Sequence, residues 1–80
     1  MIKVTGKQLH AAVKMGDLIR IATAIYTDYY IILDYFETRP YDHCCCRFTL
    51  YDLQCHEVVK GHGFFSNDDI EILRQESHED

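Results

Sequence analysis

Apolar residues near the N-terminus recur at helical spacing. The stripe consists of Leu9, Ala12 and Val13. Thr5 and Gln8 have the spacing of a capping box, in which each side chain hydrogen-bonds to the backbone of the other residue. Gly16 can adopt the left-handed conformation that ends a helix. The pattern predicts a helix over residues 6–15.

The period changes to strict alternation after Asp17, which is typical of half-buried strands. Four strands are predicted, over residues 18–26, 29–37, 43–51 and 55–60. The turns between them are expected at residues 27–28, 38–42 and 52–53. A helix through residues 17–25 stays open as an alternative, because Ala22 and Ala24 tolerate one.

A second capping pattern follows the connector of residues 61–63. Ser66 is a candidate N-cap, Asp69 lies three residues later, and Phe65 and Ile70 have staple spacing. These features predict a helix over residues 67–76 and a frayed acidic tail over residues 75–80. The expected fold is therefore α+β, a single small domain over residues 1–80 in the order α-β-β-β-β-α. Its antiparallel meander sheet carries both helices on one face.

One face of such a sheet is left without a helix. The core face is expected to hold Ile19, Ile21, Ile25, Ile31, Leu33, Phe48 and Leu50. The opposite face is then expected to be rich in tyrosine and other rings. A candidate partner-binding set follows from this face and from the acidic segment after it: Tyr26, Tyr30, Ile32, Asp34, Phe36, Arg47, Tyr51, Asp68, Asp69 and Glu71. In the alternative interpretation the rings only shelter the sheet, or this face is itself the core.

Charge limits the class of partner. The 80 residues include 13 acidic and eight basic side chains, for a net charge of −5. Nucleic acid and anionic membranes are disfavoured as ligands because both attract clustered lysine and arginine. A protein with a basic surface is the expected partner, although acidity also serves solubility alone. The sequence has no run of about 18 apolar residues and no signal-peptide pattern, which predicts a cytoplasmic protein.

The spacing of the cysteine and histidine residues gives little support to a metal site or a catalytic site. The weak candidates for metal ligands are His43, Cys55, His56 and His62, and no C-x-x-C pair occurs. The cysteines are expected to be reduced and packed as small apolar residues. Glycine-rich phosphate loops and a convincing Cys–His nucleophile pair are both missing from the sequence, so neither an enzyme nor a cofactor is predicted.

Three functions are consistent with these features. The first is a small acidic, non-enzymatic protein-binding module that blocks the basic nucleic-acid-binding surface of its partner. Its size and charge are those of phage or mobile-element accessory inhibitors, including anti-defence and anti-CRISPR-like proteins, although this is an analogy and no motif supports it. The second is a structural homodimer closed by the tyrosine-rich sheet face. The third is a small Cys/His metal-binding regulatory module.

Overall fold

A six-stranded antiparallel sheet and one short helix form the part of the chain that the structure describes. The structure is a computed structural model, and it describes residues 1–37 and 46–74. The elements in chain order are β1 (Ile2–Thr5), α1 (Leu9–Ala12), β2 (Leu18–Ala22), β3 (Thr27–Glu37), β4 (Cys46–Asp52), β5 (Glu57–His62) and β6 (Asp69–Ile72). None of the helical structure described here is long or apolar enough to cross a membrane.

The strand order β1-β6-β2-β3-β4-β5 contains a meander and one long return. Strands β2 to β5 follow one another, as the sequence predicts. The chain then comes back across the sheet, and β6 inserts between β1 and β2, pairing antiparallel with both. The N-terminal strand is thus held in the sheet by the last strand of the described chain.

The core lies between the inner face of the sheet and the segment that carries α1. Leu9 and Val13 pack from this segment against strand residues of the inner face. The fully buried strand side chains are Ile19, Ile32, Phe48, Leu50, Ile70 and Ile72. Of the predicted core residues, Ile19, Phe48 and Leu50 are confirmed as buried.

The capping box at the start of the chain is present, although the helix is shorter than predicted. The Thr5 backbone N–H donates to Gln8 Oε1 at 3.1 Å, and the Gln8 backbone N–H donates to Thr5 Oγ1 at 3.3 Å. Gly16 adopts φ = 89°, in the left-handed region expected for it, and its N–H donates to the Ile32 carbonyl at 2.7 Å. The predicted helix over residues 6–15 is reduced to α1 because Thr5 ends a strand and the chain is extended again at Val13.

The predicted second helix is wrong over the described residues 67–74, which form a turn and then β6. The predicted capping pair of Ser66 and Asp69 is replaced by a bond one residue earlier, in which the Phe65 N–H donates to Asp68 Oδ2 at 3.0 Å. This turn feeds a strand because Ile70 and Ile72 alternate into the core between two neighbouring strands. Residues 75–80 lie outside the described residues. The fold is therefore dominated by its sheet, and the prediction of helices covering one face holds only for α1.

The turns also differ from their predicted positions. The β2–β3 turn falls at Thr23–Tyr26, where the Thr23 hydroxyl accepts the N–H groups of Ile25 and Tyr26 at 3.2 and 3.1 Å. Ile25, expected in the core, is consequently 89% exposed.

Strand β5 begins two residues later than predicted and extends through His62, which leaves Cys55 exposed in the β4–β5 turn. Cys46 is buried as expected, whereas the predicted break at residues 38–42 lies outside the described residues.

A β-bulge interrupts β3, so the predicted faces are reversed before the bulge and agree with the prediction after it. Ile32 pairs with Leu50 and Asp34 pairs with Thr49, so Leu33 is an extra residue with no partner in β4. Before the bulge Tyr30 and Ile32 point to the inner face, whereas Asp34 and Phe36 after it point to the other. Ile32 is fully buried, so its predicted place on a partner-binding surface is wrong. Leu33, expected in the core, is 44% exposed.

Candidate functional site

The structure divides the predicted partner-binding residues among two surfaces and the core. Tyr26, Tyr30 and Asp68 line one cleft at the end of the sheet. The outer face of the sheet, which is the face opposite the core, carries the others apart from Ile32: Asp34, Phe36, Arg47, Tyr51, Asp69 and Glu71. No single tyrosine-rich face exists among the described residues, because Tyr30 lies on the inner side and Tyr51 on the outer side.

The cleft, called here the aromatic–acidic cleft, has a volume of about 290 Å³. Its walls come from the β2–β3 turn, the start of β3, the end of β5 and the turn of residues 65–68. The lining side chains include Tyr26, Asp28, Tyr30, His62, Phe65 and Asp68. Sequence reasoning missed Asp28, His62 and Phe65 as members of this site.

The floor of the cleft is an array of rings that continues into the core. The ring centroids of Tyr30 and His62 are 6.0 Å apart, and those of His62 and Phe64 are 4.7 Å apart in an edge-to-face arrangement. Phe64 in turn contacts the buried Phe48 at 5.5 Å. Because each ring packs on the next, the shape of the floor is fixed by the core and not by loose side chains.

Two exposed rings stand at the mouth of the cleft. Tyr26 is 52% exposed and Phe65 is 69% exposed. Tyr26 is presented by the turn that Thr23 holds through its backbone N–H, which donates to the Tyr26 carbonyl at 2.8 Å. Phe65 is held from the other side, where the chain passes so close to Gly6 that a Cβ atom there would overlap the Phe65 carbonyl. Both rings therefore have fixed backbones and free faces.

Carboxylates give the cleft a negative potential. Asp28 and Asp68 line it, and Asp28 Oδ2 accepts a hydrogen bond from the Tyr30 hydroxyl at 3.4 Å. Burial, followed by the charges of Asp28 and Asp52, raises the pKa of Tyr30 to about 12. The charge of Asp52 also raises the pKa of Cys55, and partial loss of water and the charge of Glu57 act in the same direction. This end of the molecule is anionic over several neighbouring elements.

The carboxylates that line the cleft are not neutralised by ion pairs within the described part of the chain. Among residues 1–37 and 46–74, Asp28 and Asp68 form no ion pair, and the pairs that do form involve Arg20 with Glu71 and Arg74 with Asp17. Burial, followed by the charge of Arg47, lowers the pKa of His62, against the opposite influence of Asp68 and Asp52. The imidazole is therefore mainly uncharged at neutral pH, and the carboxylates keep their negative potential.

The outer face offers a groove of about 350 Å³ with a different character. Lys3 and Arg20 face Asp69 and Glu71 across it, so its charges balance. Arg20 is already paired with Glu71, and hydrogen bonds to Tyr29 and then Glu71 raise the pKa of Arg20. A balanced and internally paired groove has little attraction for a basic partner.

The outer face also carries an apolar row across four strands. Registers place Leu18 beside Ile31, Ile31 beside Tyr51, and Tyr51 beside Val58. Val58 at the end of the row is 52% exposed, and Phe36 on the same face is 55% exposed. None of the described elements packs over this row, which makes it the second surface available for contacts.

The described candidates for metal ligands do not come together in the structure. Cys55 and His56 lie in the exposed β4–β5 turn, whereas His62 lies in the cleft between Tyr30 and Phe64. Within residues 1–37 and 46–74, no group of three His, Cys, Asp or Glu side chains is arranged to hold a metal ion. His43, Cys44 and Cys45 lie outside the described residues.

Comparison with known proteins gives no relative from which a function could be transferred. No protein-family model, curated protein or solved structure matches the chain. The two surfaces are therefore the whole basis for a functional proposal.

Proposed function

We propose that the protein is a small non-enzymatic binding module whose aromatic–acidic cleft docks on a basic surface of another protein. The observation that carries this proposal is the pairing of exposed rings with carboxylates that lack a cationic partner among the described residues. Tyr26 and Phe65 supply contact area, and Asp28 and Asp68 supply the charge. Aromatic side chains of this kind are enriched in protein interfaces because they bury much surface at low entropic cost.

A partner that uses basic side chains to hold nucleic-acid phosphates would present suitable chemistry. Phosphate contacts are made mainly by lysine and arginine, which are the groups that an acidic cleft attracts. Occupation of such a surface would exclude the nucleic acid by competition. The net charge of −5 would speed the encounter with a basic partner and disfavour direct binding of nucleic acid by this chain.

The test uses a fluorescent peptide of alternating lysine, arginine and glycine, titrated with the full chain and followed by anisotropy. We expect binding that weakens strongly between about 0.1 M and 1 M salt, because salt screens exposed charges. When the peptide is first bound to duplex DNA, adding the protein should release the DNA from the peptide. Absence of peptide binding at low salt, or binding that is insensitive to salt, would contradict the proposal.

A matched pair of variants assigns the binding to the cleft. The double variant Asp28→Asn/Asp68→Asn removes two charges from the cleft but keeps oxygen acceptors for the Tyr30 hydroxyl and the Phe65 N–H. We expect this variant to bind the peptide about three- to ten-fold more weakly, which is the effect expected for the loss of two exposed charge pairs. Asp34→Asn/Asp69→Asn removes the same charge outside the cleft and should have a smaller effect. The reverse order would place the binding surface on the outer face.

A second candidate function is self-association through the outer face. The apolar row from Leu18 to Val58 favours it, because a second copy could cover the same row by two-fold symmetry. Native mass spectrometry over a range of micromolar concentrations tests this second candidate. A dimer that forms with the row intact supports the second candidate, and a monomer at all concentrations excludes it.

A further inference from the structure

We infer that the aromatic–acidic cleft selects arginine over lysine, and that the group it takes from a partner is a single arginine side chain. This inference rests on the proposed function and adds to it the chemistry of the residue recognised. It depends on three properties of the cleft: its size, the flat faces at its mouth, and the origin of its two carboxylates.

The size of the cleft suits one side chain. Its volume of about 290 Å³ lies at the lower limit of about 300 Å³ for pockets that enclose small molecules. A folded element of a partner cannot enter such a space. A long side chain can, with its head group reaching the floor and its stem lying between the walls.

The rings at the mouth favour a planar cation. Tyr26 and Phe65 both expose more than half of their surface and are carried by backbone segments fixed by hydrogen bonds. A guanidinium group stacks on aromatic faces and is weakly hydrated, whereas the lysine ammonium is compact and strongly hydrated. Removing water from the cation therefore costs less for arginine than for lysine.

The carboxylates come from two separate walls of the cleft. Asp28 lies near the start of β3, and Asp68 lies in the turn that precedes β6. Arginine has five N–H donors in a rigid, planar group and can donate to acceptors on more than one side. Lysine has three donors on one ammonium group, which acts as a point charge. Arg20 and Arg74 are engaged with Glu71 and Asp17, so neither of these arginines is available to fill the cleft.

The experiment compares two glycine-spaced peptides of equal length and charge, one with arginine as its only basic residue and the other with lysine. Calorimetric titration of the full chain gives the ratio of the two dissociation constants. We expect the arginine peptide to bind about three- to five-fold more tightly, the range set by cation–π contacts at exposed rings. Equal affinities would overturn the inference and leave the proposed function standing. Failure of both peptides to bind would overturn the proposed function itself.

Ring variants show whether the preference arises in the cleft. Tyr26→Leu and Phe65→Leu keep an apolar side chain at two exposed positions, so folding should be unaffected, which circular dichroism checks. Each should bring the arginine-to-lysine ratio close to one while leaving the salt-dependent binding of both peptides. Phe36→Leu, at an exposed ring of the outer face, is the matched control and should leave the ratio unchanged. A ratio that survives both cleft variants would overturn the inference.

Discussion

Asp17 and Arg74 tie the last described strand to the segment that carries the helix. Arg74 Nε donates to Asp17 Oδ1 at 3.1 Å, and Arg74 Nη2 donates to the Ala12 carbonyl at 2.9 Å and to Asp17 Oδ2 at 2.6 Å. Asp17 Oδ2 also accepts the Lys14 N–H at 2.7 Å. The aspartate is only 8% exposed, so these bonds satisfy a carboxylate that has lost most of its water.

We expect Asp17→Asn to lower the free energy of unfolding at neutral pH by about 2–3 kcal/mol, the upper range for hydrogen bonds to a charged group. The hydrogen bond from Arg74 holds the pKa of Asp17 below its usual value of 3.8, although burial acts in the opposite direction. The folded state therefore takes up this proton less readily than the unfolded chain. The contribution of Asp17 is complete above about pH 4 and decreases as the pH falls through the folded pKa.

Urea unfolding of the wild type and Asp17→Asn across this pH range checks both parts of the prediction. The difference between the two proteins should be constant near neutral pH and should shrink under acidic conditions. Asp34→Asn, at an exposed carboxylate, is the control and should have little effect at any pH. A difference that stays constant into strong acid would show that Asp17 is not the titrating group.

Among the elements, the sequence predicted those whose own pattern is long enough to specify them. Strand β3 has eleven residues dense in β-branched and aromatic side chains, and β4 alternates cleanly. Strands β1 and β6 have four residues each and are stable only through pairing with distant partners. The alternation of Ile70 and Ile72 is a signal for β6, but it spans only two core positions and competes with the capping pattern at Ser66.

The cleft was only partly predictable for the same reason. Strand alternation predicts Tyr26 and Tyr30 on one face and the acidic segment adds Asp68, but no periodicity places the β2–β3 turn beside the turn of residues 65–68. That neighbourhood depends on the return of β6 to β2 and on the close approach of Gly6 to Phe65. The sequence pattern places Phe65 in a helix staple, and it offers His62 only as a connector residue and a weak metal-ligand candidate, so it predicts neither ring as part of the cleft.

The bulge in β3 makes a prediction about two neighbouring residues. Ile32 is fully buried against the core, whereas Leu33 is the extra residue and is 44% exposed. We expect Ile32→Ala to cost about 2–5 kcal/mol of stability, as large-to-small changes in cores do. Leu33→Ala should stay within about 0.5 kcal/mol, the usual effect of a surface change.

Denaturant midpoints of the two alanine variants measure this difference, with the wild type as reference. The two substitutions remove comparable aliphatic side chains one residue apart, so chain position cannot explain unequal effects. A larger loss at Leu33 than at Ile32 would mean that β3 turns Leu33 and not Ile32 toward the core, as the sequence alternation predicts. Equal losses would contradict the exposed position of Leu33.

At the scale of the whole molecule, the two candidate surfaces lie on different sides of the sheet. The aromatic–acidic cleft opens at the end of the inner face, beside Tyr30 and His62. The apolar row crosses the outer face and ends at the edge strand β5. A basic partner in the cleft would leave the row open, so both contacts can exist in one assembly.

This separation predicts that one substitution changes self-association without changing the cleft. Val58→Ser removes exposed apolar surface at the end of the row and leaves the net charge unchanged. We expect native mass spectrometry to show a smaller dimer fraction than in the wild type. The dissociation constant for the basic peptide should stay within about two-fold, because distant sites act nearly additively. If Val58→Ser weakens peptide binding as strongly as Asp28→Asn/Asp68→Asn does, the partner contacts residues across the edge of β5. The two surfaces would then form one interface.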